Sequence, residues 1–141
     1  MISADLNRGL LAGIVNHLLG LLFMISQNYS IQSDGEIPRV IRSARTYMQE
    51  HVEENLDMPE VARYLNQSYT TFRRIFKRYV GLSPAQYYNS LKLHRAIELL
   101  RSSEMPIKEI SYLLCFKNPE YFSSFFKKVV GLTPSEFRER M

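Results

Sequence analysis

Apolar residues recur at steps of three and four along most of the chain, the spacing of amphipathic helices. Over residues 4–27 the stripe is Leu6, Leu10, Ile14, Leu18, Leu21, Leu22 and Ile25, weakened by Gly9, Gly13 and Gly20. Residues 28–38, with Ser30, Ser33, Asp34 and Gly35, read as a flexible linker. The spacing predicts further helices near 39–54, 58–65, 69–80, 84–102, 107–114, 119–130 and 134–140. No stretch alternates apolar and polar residues long enough for a strand, so the expected fold class is all-α.

Capping chemistry sharpens the helix starts. Ser83-Pro84-Ala85-Gln86 and Thr133-Pro134-Ser135-Glu136 read as capping boxes with proline at the first helical position. Asp57 and Asn118 are expected to cap the helices that follow them. Gly81 and Gly131 are expected to end helices in the left-handed conformation.

An internal repeat underlies the pattern. Residues Phe76 to Tyr87 and Phe126 to Phe137 are identical at six of twelve positions, at an offset of 50. Phe72 likewise matches Phe122. Upstream the offset becomes 49, pairing Glu60 with Glu109, Val61 with Ile110 and Leu65 with Leu114, so one extra residue is expected in the second turn, around Phe116. Each copy is a short helix, a turn and a second helix, the helix-turn-helix pattern. In the first copy Val61, Ala62 and Leu65 form the inner face of the short helix, and Asn66 sits in the turn, where asparagine tolerates positive φ. Ser68 caps the second helix, and Phe72, Ile75, Phe76 and Tyr79 are expected to face the core.

Charge points to a partner. The net charge of +4 divides into −2 over residues 1–38 and +6 over 39–141. From Val61 to Tyr79 there are five basic residues (Arg63, Arg73, Arg74, Lys77, Arg78) and no acid. A solvated helix face and a polyanion site both fit that run. In the second helix of the first copy Tyr69, Thr70, Thr71, Arg73, Arg74 and Lys77 are left off the core face. Arginine pairs bidentately with guanine and threonine touches a thymine methyl, which suits a recognition helix. In the second copy Pro119, Glu120, Tyr121, Ser123, Ser124, Lys127 and Lys128 take that place, and looser specificity is expected there.

Residues Asp57 to Arg138 resemble the DNA-binding domain of the AraC/XylS family of bacterial transcription regulators. The motif is Ile107, Ile110 and Phe116, then Tyr121-Phe122 with Phe126-Lys127-Lys128, then Gly131-Leu132-Thr133-Pro134 and Phe137-Arg138. The resemblance implies an all-α domain over residues 39–141. Its two tandem helix-turn-helix units lie near 58–80 and 107–130, joined by a rigid helix from Pro84 to Arg101 with Leu93, Ala96, Ile97 and Leu100 as its core stripe. It implies base contacts at Thr70, Arg73 and Arg74 in the first unit and at Pro119, Glu120, Ser123 and Ser124 in the second. Phosphate contacts are assigned to Ser68, Lys77, Arg78, Lys127 and Lys128. A joining helix of about 27 Å leads us to expect the two readers in successive major grooves. The chain departs from the family at Lys92, Ser111 and Cys115, where the family has arginine, alanine and glycine.

Residues 1–38 form a segment apart, a dimerising or linker element, and only these residues precede the DNA-binding module, as in a fragment or a stripped-down regulator. The 4–27 helix either packs on its own domain or pairs with a second copy; its leucine stripe favours a homodimer. Leu10 to Ile25 spans 16 residues and contains Asn16 and His17, short of the roughly 20 a membrane span needs. The single cysteine, Cys115, excludes an internal disulfide and a cysteine zinc site, and no signal peptide is visible, so the cytoplasm is the expected compartment. His17, His51 and His94 are expected in three separate helices, and no catalytic, metal-ligating or phosphate-cradling pattern accompanies them. The expectation is a non-enzyme without cofactor or metal whose partners are double-stranded DNA and RNA polymerase. The rival reading is a helical protein-interaction adaptor.

Overall fold

A computed structural model describes residues 38–141. The helix expected over 4–27, the linker up to residue 37 and the dimer surface placed on them lie outside the described residues. Seven α-helices form within the described residues: α1 Arg39–Glu50, α2 Met58–Tyr64, α3 Tyr69–Val80, α4 Pro84–Ser102, α5 Ile107–Leu113, α6 Pro119–Val130 and α7 Pro134–Glu139. The chain divides into two compact units, residues 38–95 and residues 96–141, with the boundary inside α4.

In the first unit α1 and α2 pack on α3. The core is built from Ile41, Ala44 and Met48 of α1, Met58, Val61 and Ala62 of α2, Phe72, Phe76 and Val80 of α3, and Tyr87, Tyr88 and Leu91 of α4. Burying each large apolar side chain stabilises by about 1.5–3 kcal/mol, so this four-step ladder on α3 fixes which way its other faces point. Phe76 meets Tyr87 edge-on, with centroids 5.4 Å apart. Arg45 and Gln49 donate to the Tyr87 hydroxyl at 3.4 and 3.2 Å.

The second unit repeats this plan. α6 packs on α5 and α7. Ala96, Ile97, Leu99 and Leu100 of α4, Ile110 and Leu114, Phe122, Phe126 and Val130 of α6, and Leu132 and Phe137 are buried. Phe126 and Phe137, fifty residues on from Phe76 and Tyr87, meet edge-on at 5.6 Å.

Several expectations change. α1 ends at Glu50 rather than near 54. His51 leaves the helical region (φ −113, ψ 28) while its N–H and its ring Nδ1 both bond Tyr47 O. The chain then turns with Glu54 N donating to His51 O, and the Tyr88 hydroxyl donates to His51 O and Glu54 O. His51 therefore sits at a helix end, not within one. Asp57 occupies the N-cap of α2 but its side chain makes no capping bond. Tyr79 is 42% exposed and Ile75 and Leu65 only half-buried; Val80 takes the core place, because 72, 76 and 80 form the tightest four-residue stripe.

The other caps form, the second capping box in one direction only. Ser83 Oγ accepts from Gln86 N while Gln86 Oε1 accepts from Ser83 N. Thr133 and Asn118 accept from Glu136 N and Tyr121 N. Gly81 (φ 84) and Gly131 (φ 90) end α3 and α6, their N–H groups returning to Lys77 O and Lys127 O.

Candidate nucleic-acid interface

Two turns aim the exposed helices. In the first, Asn66 adopts φ 58, Asn66 N donates to Arg63 O and Gln67 N to Ala62 O. In the second, Cys115 adopts φ 57, Cys115 N donates to Tyr112 O and Phe116 N to Ser111 O. These are paired Schellman closures with a left-handed residue at the same step. The extra residue of the second copy lies between Cys115 and the cap Asn118, as the repeat offsets predicted. Ala62 and Ser111 occupy equivalent, fully buried positions where the two helices of each unit meet.

The buried stripe of α3 leaves Thr70, Arg73, Arg74 and Lys77 on the outward side, at the i, i+3, i+4, i+7 spacing of one helix face. All four are exposed, as are Ser68 and Arg78. Helix α3 carries four cations and no acid, a charge of +4. Among the described residues no carboxylate pairs with Arg73, Arg74, Lys77 or Arg78; ion pairs such as Arg63 with Glu60 and Arg95 with Glu53 lie elsewhere on the unit. Ser68 is committed to the helix: it donates to Thr71 Oγ1 at 2.8 Å and accepts from Thr71 N at 3.2 Å. The cap leaves the first-turn N–H groups of Tyr69 and Thr70 without an intrahelical partner.

Helix α6 presents the same stripe in different chemistry. Glu120, Ser124, Lys127 and Lys128 are exposed, while Pro119 and Ser123 are half-buried. Two lysines against Glu120 leave +1 on α6. Beside it, the half-buried Phe116 contacts Tyr121, Phe122 and Phe125 at centroid distances of 6.4, 4.8 and 5.8 Å. The structure thus gathers the expected residues of each unit onto one helix apiece, strongly basic in α3 and mixed in α6.

Arg138 has a role the sequence reading did not assign. Its guanidinium donates to Leu100 O, Ser103 O and Met105 O, at 3.4, 3.3 and 2.7 Å, closing the end of α4. Its repeat partner is Tyr88, which closes the end of α1 in the same manner. The signal was available at offset 50, hidden because tyrosine and arginine share only the ability to donate. No group of three His, Cys, Asp or Glu side chains that could hold a metal ion occurs among the described residues.

Known proteins share this arrangement. The helix-turn-helix domain family matches residues 61–140. The MmsAB operon regulatory protein of Pseudomonas aeruginosa is 34% identical over 95 residues, which is 67% of this chain and 31% of that protein. The C-terminal domain of AraT, a response regulator from Geobacillus stearothermophilus, superposes with a TM-score of 0.72 at 32% identity, over 76% of this chain and 89% of that one. The DNA-binding domain of AdpA, a global transcriptional factor crystallised with a target DNA, shares the fold (TM-score 0.69, 23% identity, 73% of this chain and 93% of that one). The chain spans well under half the length of these curated relatives: 31% of the MmsAB regulator and 25% of GbdR, also from Pseudomonas aeruginosa.

Proposed function

The chain belongs to the AraC-type helix-turn-helix family, and on that premise we propose that it regulates transcription by binding double-stranded DNA sequence-specifically. The observation that carries the reading is the outward stripe Thr70, Arg73, Arg74 and Lys77 on α3, which no carboxylate of the described residues neutralises. Arg73 and Arg74 read guanine edges, Thr70 a thymine methyl, and Lys77 and Arg78 hold phosphates. Helix α6 adds phosphate contacts through Lys127 and Lys128 and weaker base contacts through Pro119, Glu120, Ser123 and Ser124. In this proposal the two readers take neighbouring major grooves. Selection of bound duplexes from a random pool tests it: a defined sequence should emerge, and enrichment of no sequence refutes it.

The same reading extends to the rest of the regulator. RNA polymerase is the protein partner of a bound activator, checked by co-retention on operator DNA. Residues 4–27 join two copies of the chain. The reading sets the protein in the cytoplasm with no catalytic role; among the described residues no helix is long and apolar enough to cross a membrane.

A further inference from the structure

The outward face of α1 lies outside both helix-turn-helix units. Ile41, Ala44 and Met48 point into the core. The opposite side carries Arg39, Arg42, Ser43, Thr46 and Glu50, all exposed and spaced by three and four. Their order along the helix is two cations, two small hydroxyl residues, then an acid. Arg42 and Glu50 each stand four residues from Thr46, so the stripe is symmetric in position and opposite in charge about that residue. About 12 Å of helix axis separates the two, and no ion pair joins Arg39, Arg42 or Glu50 to a side chain of the described residues.

These charges also run against the helix that carries them. The macrodipole favours acids in the first turn and bases in the last. α1 has no acid in its first turn and no base in its last, and places Arg39 and Arg42 at its start and Glu50 at its end. Within one chain that order costs stability. Against an antiparallel copy it gains, because each charged end meets the opposite charge and the opposite dipole end of its neighbour. Ser43 and Thr46 in the middle leave room for two helix axes to approach to the roughly 8–10 Å of packed helices. The stripe also borders an aromatic wall. Its first four residues line a groove of about 530 Å³ together with Tyr47 and Tyr64, whose ring centroids are 4.4 Å apart, and Tyr64 is 64% exposed.

We propose that α1 pairs with α1 of a second copy of this chain, antiparallel and two-fold symmetric about Thr46. Arg42 of each copy then meets Glu50 of the other, Arg39 lies at the C-terminal end of the neighbouring helix, and the tyrosine walls add apolar contact on both flanks. Such an interface is isologous, so every pair occurs twice. Exposed ion pairs are individually weak, so the contact acts between copies already held close and not as a dimer interface by itself. The pairing is independent of the DNA reading. Where that reading holds, both α3 faces stay open, because α3 packs on the other side of α1. Rival occupants of the groove, an acidic segment of another protein or DNA phosphates, use Arg39 and Arg42 but have no use for Glu50.

Disulfide trapping in the full-length chain tests the pairing. The native thiol is first removed with C115G, which suits the φ of 57 at that position. T46C then places a thiol on the two-fold axis, facing its own copy at the close approach a disulfide needs. Mild oxidation should give far more linked dimer from T46C/C115G than from N89C/C115G, an exposed site on α4, and added salt should lower the yield. Adding R42E or E50R to T46C/C115G should cut the yield about three- to tenfold, the scale of two exposed ion pairs. The double swap R42E/E50R should recover it. Mixing the two single-charge variants should recover it as well, through dimers of unlike copies that mass spectrometry identifies. Equal yields from T46C and N89C, or a yield that R42E leaves unchanged, overturn the proposal. A loss with R42E that neither the double swap nor the mixture recovers also overturns it, and leaves the groove to a partner that uses Arg42 without Glu50.

Discussion

At two equivalent positions the repeat carries different residues, Ala62 and Ser111, and both are fully buried. Ala62 suits a site where two helices approach closely. The Ser111 hydroxyl fits there but finds no hydrogen-bond partner among the described residues. A buried, unsatisfied polar group costs about 1–3 kcal/mol, and alanine is also the better helix former. Ser111→Ala should therefore stabilise the chain by about 1 kcal/mol, read as a rise in the denaturation midpoint at unchanged slope; a loss of stability would mean the hydroxyl is satisfied. Cys115 is the second departure at this scale. Its φ of 57 matches Asn66 at 58, so the turn keeps the left-handed geometry that a glycine at this position would adopt without strain, while a β-carbon there costs about 1–2 kcal/mol. Lys92, the third, is buried with its ammonium 4.8 Å from the Tyr88 ring centroid. All three were visible as departures in the sequence, but whether the turn survived was not, because strain at one residue depends on how the flanking helices are held.

Among the elements, α3 and α6 share a frame and differ in what they expose. Arg73→Ala or Arg74→Ala should weaken binding by about 1–3 kcal/mol and relax preference at one or two base pairs. Ser123→Ala and Ser124→Ala should do much less; Ser123 is already half-buried. Binding titrations on the selected site rank the four, and larger serine effects would reverse the assignment of the two readers. The helix ends supply another contrast. Arg138 reaches three carbonyls with one planar fork, a geometry lysine cannot reproduce. Arg138→Lys should cost about 1.5–3 kcal/mol in thermal or chemical denaturation, as for bonds to a charged donor, and full retention of stability would remove this closure role. The helices, caps and reader faces were legible because period and capping are local. The end of α1 was not, since Tyr88 sets it from 37 residues away. A wider repeat was also missed: Ile41, Ala44 and Met48 correspond to Leu93, Ala96 and Leu100 at an offset of 52, and all six are buried. The loops after α1 and α4 differ in length, which shifts the offset and hides the match.

For the whole molecule the sequence suggested one module, and the described residues form two units with their own cores. The boundary inside α4 was not legible, because buried residues occur on both sides of it, Leu91 and Leu93 before and Ala96, Ile97 and Leu100 after. The 4–27 stripe is proposed to pair two chains; deleting residues 1–28 should leave the fold intact and give a monomer that binds tandem sites more weakly. Sedimentation of both forms at one concentration decides it, and two monomers would end the dimer reading. The remaining prediction follows from two basic readers on one chain. Each lysine or arginine on a phosphate releases condensed counterions when it binds, so the logarithm of the binding constant should fall linearly with the logarithm of salt, by about 0.9 per phosphate neutralised. Lys77, Arg78, Lys127 and Lys128 are all exposed, and four such contacts give a slope of about −3.6 before the base-reading arginines add to it. Lys77→Ala and Lys127→Ala should each reduce the slope by about 1 and weaken all duplexes alike, leaving sequence preference intact. The footprint of one chain should cover close to two helical turns without a palindrome. If Lys127→Ala leaves the slope unchanged and the footprint spans a single turn, α6 stays off the DNA and the first unit binds by itself.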